Sequence, residues 1–117
     1  MSKILQRGDI VLVPFPFTDL SSSKVRPAII VSANPQGADV IIAFVSSVVP
    51  EVPEAEELLV RSGDRNFALT GLKKDSVIKL RKLLTISSEL ILRRLGRLAP
   101  ELVMEADKRL IKALGLT

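Results

Sequence analysis

The feature that most constrains this fold is a series of short, β-branched apolar runs, each bounded by turn residues, that fills the chain up to about residue 87. The first run predicts a strand at about 10–15, and Pro14 and Pro16 require it to end there or to lie at a sheet edge, because proline cannot donate to a ladder. Further strands are predicted at 26–33, 38–47, 57–60, 67–70 and 75–80, with 83–87 as a candidate extension of the last.

Helical patterns come only after these runs. Residues 87–96, SSELILRRLG, are typical of a short helix that ends at Gly96. Pro100 suits a first helical position. The apolar residues that follow it, at helical spacing, predict an amphipathic helix that ends at Gly115; they are Val103, Ala106, Leu110 and Leu114.

Strands first and helices last indicate the α+β class and not a βαβ fold. Short antiparallel strands in a domain of 117 residues usually curl into a barrel or half-barrel. We therefore expect one domain over residues 1–117, a small antiparallel β-barrel with a short helix and a C-terminal amphipathic helix.

The residue types that are missing restrict the chemistry. The chain has no His and no Cys, which excludes Ser-His-Asp and Cys-His catalysis, a two-histidine ribonuclease mechanism and a Cys/His zinc site. No tight Asp/Glu motif supports a Mg²⁺ site, so we expect no metal and no other cofactor. The absence of Cys favours a cytoplasmic location. We also expect no signal peptide, because the N-terminus lacks a separate h-region and a small-residue cleavage site. We expect no membrane contact, because no run approaches about 20 apolar residues.

Two places in the chain have residues suited to a phosphate site. Arg26 precedes Pro27 where a polar loop meets a predicted strand, and a planar, always charged guanidinium can bind two phosphate oxygens at once. Ser46 and Ser47 close the next apolar strand, where hydroxyls can donate to a developing anion. The alternative interpretations are a solvated surface charge for Arg26 and ordinary strand termination for the serines.

A basic segment spans residues 73–97, with eight Lys or Arg against only Asp75 and Glu89. It could follow a phosphate backbone, or it could be a solvated strand and helix face. The four glutamates within 51–57 are interpreted as an exposed loop.

Several stretches together resemble the PemK/MazF family, the toxins of bacterial type II toxin–antitoxin systems. Residues 8–32, GDIVLVPFPFTDLSSSKVRPAIIVS, resemble the family's first two strands and their connecting loop. The resemblance continues through the third strand ending in Ser46, through DSVIKLRKLLTIS at 75–87, and through LGRLAPEL at 95–102. It covers nearly the whole chain apart from the acidic loop at 50–57.

The resemblance implies a barrel of the Src-homology-three type that forms a homodimer. It implies a metal-independent, sequence-selective endoribonuclease acting on single-stranded RNA, with a small antitoxin as protein partner. Arg26 matches the family's catalytic Arg before Pro, and Ser46 matches its hydroxyl residue, often Thr. The loop matching 17–25 gates the site in the family, and Asp19 in that loop is our candidate for proton transfer. Further RNA contacts are expected from Thr18, Lys24, Ser47, Lys79, Arg81 and Lys82.

This chain departs from the family pattern at two positions. Ser46 replaces the more usual Thr, and Arg81 occupies the position where many members carry an acidic residue. Two other functions stay open: a non-catalytic nucleic-acid-binding barrel, and a toxin that acts on a protein target, because the gyrase poison CcdB has a similar fold.

Overall fold

The computed structural model describes residues 4–14 and 24–116. One antiparallel sheet of six strands has the order β4-β5-β3-β2-β1-β6, and a single α-helix follows the last strand. The strands are β1 (Asp9–Pro14), β2 (Val25–Ala33), β3 (Asp39–Ser46), β4 (Glu57–Val60), β5 (Ser76–Ser87) and β6 (Arg93–Arg97), and the helix is α1 (Pro100–Leu114). The expected α+β fold, a small curled antiparallel sheet with a C-terminal amphipathic helix, is confirmed.

Both faces of the sheet bury apolar side chains, because successive residues of a strand point to opposite faces. Ile10 and Ile29 belong to the cluster on which α1 packs, through Val103, Ala106 and Leu110. The neighbouring strand positions point to the opposite face and belong to a second cluster, which also contains Ile91. The buried strand residues of this cluster are Val11, Val13, Ala28, Ile30, Val40 and Ile42. The curled sheet therefore has a core on each side.

The predicted helix at 87–96 is wrong. Residues Ser88–Leu90 form a single 3₁₀ turn, in which the Ser87 hydroxyl accepts the N–H of Glu89 at 3.2 Å. The chain then becomes extended, and the N–H of Leu92 donates to the carbonyl of Leu12 at 2.9 Å. Pairing with β1 makes this segment the edge strand β6, so tertiary contacts override the local helical pattern.

Two smaller expectations also need correction. Residues Phe67–Thr70, expected as a strand, form a 3₁₀ helix that ends at Gly71 in the left-handed conformation. Leu114, expected on the buried stripe of α1, is 52% exposed, and Ala113 packs against the core in its place. Gly115 ends the helix with φ of 69°, as expected.

β5 is one continuous strand across both segments that the sequence analysis separated. Its pairing with β3 is interrupted, because Phe44 lies opposite Lys79 whereas the adjacent Ala43 lies opposite Leu83. Residues 80–82 are therefore inserted relative to β3, and such bulges bend and twist a strand. This irregularity determines which basic side chains of β5 reach the candidate site.

Candidate active site

A cleft of about 500 Å³ opens where the ladder between β2 and β3 ends. The last pair of that ladder is Ala28 opposite Phe44, although both strands continue, β2 back to Val25 and β3 on to Ser46. Pairing between β1 and β2 extends further, as far as Val25. Pro27 has no N–H to donate to β3, which explains why the β2–β3 ladder ends before the β1–β2 ladder does.

Arg26 and Ser46 both line this cleft. Each lies two residues beyond the last β2–β3 pair, so continuing the antiparallel register sets them opposite each other. Pro27 fixes the backbone beside Arg26, and pairing of Arg26 with Val13 of β1 supports it from the other side. The guanidinium is exposed and rests on a paired strand, which is the rigid support that a catalytic group needs.

The Ser46 side chain is oriented by a backbone N–H two residues further along the chain. Its hydroxyl oxygen accepts the N–H of Val48 at 3.1 Å, and Ser46 lies opposite Val77 of β5. Since this bond occupies an acceptor position, the hydroxyl proton can be donated into the cleft.

The cleft is strongly cationic. Six basic residues and no acidic residue line it among the described parts of the chain. The six are Arg26, Lys73, Lys74, Lys79, Lys82 and Arg93. Charges of one sign on the walls of a cleft concentrate ligands of the opposite sign, so this geometry suits a polyanion. We call it the basic cleft.

The sequence model of one protein family matches residues 6–114, and that family is described as the PemK-like, MazF-like toxin of type II toxin–antitoxin systems. This chain belongs to that family. A search of curated proteins found no match.

Solved structures of the same family share the fold. The Mycobacterium tuberculosis toxin MazF-mt6 has 21% sequence identity and a TM-score of 0.73, over 93% of this chain and 98% of that one. A mycobacterial endoribonuclease in complex with its cognate antitoxin has 18% identity and a TM-score of 0.76, over 97% and 98%. The MazE–MazF structure from Deinococcus radiodurans has 17% identity and a TM-score of 0.73, over 99% and 100%.

The three inserted residues of β5 in this PemK/MazF chain have side chains in three different surroundings. Leu80 is buried in the core on the α1 side, Lys82 lines the basic cleft, and Arg81 is exposed and is not among the residues that line it. Lys79 reaches the cleft from the regular part of the strand, opposite Phe44. The cleft therefore receives Lys79 and Lys82 but not Arg81.

The structure brings five of the predicted site residues together in the basic cleft: Arg26, Ser46, Ser47, Lys79 and Lys82. Lys24 is exposed immediately before β2 and is not one of the lining residues. The predictions for Thr18 and Asp19 lie outside the described residues.

Three basic cleft residues were missing from the residue-level prediction: Lys73, Lys74 and Arg93. The basic segment 73–97 contained them, but the segment alone did not indicate which of its charges point the same way. Arg93 was assigned to a helix, whereas it pairs with Leu12 of β1. A correct strand assignment for 93–97 would have indicated its place beside the cleft.

No three acidic side chains come close enough to hold a metal ion within residues 4–14 and 24–116. Over the same residues the only α-helix is too short and too polar to cross a bilayer.

Proposed function

We propose that this protein is the toxin of a type II toxin–antitoxin pair and acts as a sequence-selective endoribonuclease on single-stranded RNA, without a metal ion. The observation that carries the proposal is the presence of Arg26 and Ser46 in one cleft with five further cations and no carboxylate. An RNA strand carries one negative charge per phosphate, so the cleft complements it.

The chemistry needs few protein groups, because RNA supplies its own nucleophile. The 2′-hydroxyl loses its proton as its oxygen forms a bond to the adjacent phosphorus, the bond from phosphorus to the 5′-oxygen breaks, and that oxygen takes up a proton, so that no proton is gained or lost overall. The products are a 2′,3′-cyclic phosphate and a 5′-hydroxyl. The protein has to stabilise the charge that develops on the phosphate oxygens.

Arg26 performs this stabilisation. Its guanidinium offers two parallel N–H donors and keeps its charge throughout the reaction. The Ser46 hydroxyl donates to the same phosphate, since its oxygen is already held by the N–H of Val48. Arg26 is a poor general base, because a guanidinium group has only N–H donors and no acceptor for the 2′-hydroxyl proton.

Proton transfer from the 2′-hydroxyl is assigned to Asp19, which lies outside the described residues. Asp19→Asn is expected to slow cleavage and to leave RNA binding intact. Unchanged cleavage by this variant would remove Asp19 from the mechanism.

Apolar side chains next to the cations support a single strand as the substrate, because its unpaired bases are free to contact them. Leu12, Leu72 and Leu95 line the same cleft, and base faces can lie on such surfaces while the phosphates contact the basic groups.

The protein partner we propose is an antitoxin, and the functional unit is a homodimer in the cytoplasm. A mycobacterial relative and a Deinococcus relative are described as complexes with an antitoxin or with MazE, which supports the partner. An antitoxin with an acidic segment would complement the basic cleft.

The proposal is tested by incubating antitoxin-free protein with a long single-stranded RNA in EDTA and mapping the cut ends. Arg26→Ala is expected to abolish cutting, and Arg65→Ala, which removes an exposed Arg outside the cleft, is the matched control. Discrete cuts with 5′-hydroxyl ends that appear with the wild type and with Arg65→Ala, but not with Arg26→Ala, would support the ribonuclease. Salt-dependent binding without cutting would favour the non-catalytic barrel, and neither binding nor cutting would favour a protein target.

A further inference from the structure

We propose that Lys73 and Lys74 form a second phosphate subsite, which binds the RNA on the opposite side of the scissile phosphate from Lys79 and Lys82. This inference rests on the proposed function, because it takes Arg26 and Ser46 as the centre of the site. It adds two binding residues that the sequence analysis included only within the broad basic segment 73–97 and that the family resemblance did not assign.

The register of β5 against β3 shows which lysines lie on each side of the position opposite Ser46. Val77 lies opposite Ser46, and Lys79 lies opposite Phe44, which is further inside the sheet. Lys74 and Lys73 come before Val77 along the chain. The two pairs of lysines therefore reach the cleft from either side of the position that faces Ser46.

The segment that carries Lys73 and Lys74 is fixed at its first end by close backbone packing. A Cβ on Gly71 would lie 2.2 Å from the carbonyl oxygen of Leu95, and one on Gly96 would lie 2.2 Å from that of Leu69. Thr70 is fully buried, and its hydroxyl donates to the carbonyl of Phe67 at 2.7 Å.

Three more hydrogen bonds hold the rest of this segment. The Thr70 hydroxyl accepts the N–H of Leu72 at 3.1 Å, and the Asp75 carboxylate accepts the N–H of Ser62 at 2.6 Å. The Ser76 hydroxyl donates to the carbonyl of Lys74 at 2.9 Å. The segment is thus hydrogen-bonded before and after Lys73, while the side chains of Lys73 and Lys74 are exposed in the cleft.

Charge supports a phosphate as the ligand. Within the described residues, no ion pair involves Lys73 or Lys74, and no acidic side chain lines the cleft. Because the lysines reach the cleft from both sides of the position that faces Ser46, neighbouring phosphates of the same strand are the ligands that fit them.

The test compares a Lys73→Gln/Lys74→Gln variant with Lys108→Gln/Lys112→Gln, which removes the same charge from exposed positions on α1 outside the cleft. The probe is an oligonucleotide with the mapped cut sequence and a 2′-deoxy nucleotide at the cut position, so that it binds without being cleaved. If no cut is found, a randomised single-stranded RNA pool replaces it. Affinity is measured from about 50 to 200 mM salt, the range over which phosphate contacts change affinity strongly.

We expect the cleft variant to bind about tenfold more weakly than the control, with a salt slope reduced by roughly 0.7 for each phosphate that the variant no longer neutralises. Neutral methylphosphonate groups, placed one at a time, then locate the subsite along the strand. Replacing one flanking phosphate is expected to weaken wild-type binding but to have no further effect on the Lys73→Gln/Lys74→Gln variant. Replacing the phosphate on the other flank is expected to weaken both proteins.

The subsite would be overturned if the two double variants bound the probe with equal affinity. It would also be overturned if neutralising any phosphate of the probe weakened binding by the same factor in the wild type and in Lys73→Gln/Lys74→Gln. Absence of binding by the wild type would overturn it as well. Cleavage of the all-RNA strand is scored separately, so a protein that binds with this positional signature but never cuts contradicts the ribonuclease and leaves the subsite supported.

Discussion

The hydroxyl oxygen of Ser46 accepts the backbone N–H of Val48 at 3.1 Å, at the point where β3 ends in the basic cleft. This bond aligns the hydroxyl and leaves its proton for a ligand. The backbone N–H of Val48 thus orients the hydroxyl of a candidate catalytic residue in a chain that has no His to do so.

The first prediction concerns that proton. Ser46→Ala is expected to lower the single-turnover cleavage rate by about 10²–10³, the usual effect of removing one donor to a developing oxyanion. Ser46→Thr keeps the hydroxyl and suits a strand end, so it is expected to cleave close to the wild-type rate. Equal rates for the Ala and Thr variants would assign Ser46 a purely structural role.

The second prediction separates charge from geometry at Arg26. Arg26→Lys keeps the positive charge but cannot bind two phosphate oxygens in a planar fork. We expect RNA affinity to change little and the cleavage rate to fall at least tenfold, because the two-donor contact matters most in the transition state. The measurement is a single-turnover time course at saturating protein. A lysine variant that cleaves at the wild-type rate would show that charge alone suffices.

The third prediction uses neighbouring residues of β5. Lys82 lines the basic cleft and Arg81 does not, so Lys82→Gln is expected to weaken RNA binding and to reduce its salt slope by roughly 0.7. Arg81→Gln removes the same charge one residue away and is expected to have a much smaller effect. Fluorescence anisotropy titrations at several salt concentrations measure both. The reverse order would mean that RNA follows a path outside the cleft.

The fourth prediction concerns the packing that supports Lys73 and Lys74. Gly71 has φ of +71°, and a Cβ there would lie 2.2 Å from the Leu95 carbonyl oxygen. Gly71→Ala is expected to lower the free energy of unfolding by at least about 2 kcal/mol, because left-handed strain adds to the clash. Gly63 has open space around its Cβ position, so Gly63→Ala is the control, with an expected change within about 0.5 kcal/mol. Urea unfolding of both variants checks this.

The fifth prediction concerns acid stability. The N–H of Ser62, more than any other group, lowers the pKa of Asp75 below its ordinary value of 3.8, and the Ser62 side chain and Arg61 add to the effect. A carboxyl group whose pKa is lower in the folded state contributes stability above its unfolded pKa and loses it as the pH falls through the folded pKa.

The stability contributed by Asp75 is therefore present at pH 7 and declines below about pH 4. Urea midpoints of the wild type and Asp75→Asn are expected to differ at pH 7 and to converge toward pH 2. A difference that is the same at both pH values would show that ionisation of Asp75 does not contribute.

The sequence by itself determined the strands and the helix whose local patterns agree with their surroundings. The runs that became β1 to β3 are rich in β-branched residues and bounded by turns, and Pro100 and Gly115 mark the ends of α1. The Arg-Pro step and the hydroxyl at a strand end are local features that made Arg26 and Ser46 candidates, and the family resemblance favoured them over a surface charge and an ordinary strand end.

Only the tertiary structure decided the rest of the site. Residues 93–97 have no strong strand pattern and become a strand because β1 offers a partner for their backbone groups. The irregular pairing of β5 determines that Lys82, and not Arg81, reaches the cleft. Lys73 and Lys74 reach it because Gly71 permits a close approach to Leu95. Each of these outcomes depends on contacts between residues distant in the chain, and local periodicity contains no information about such contacts.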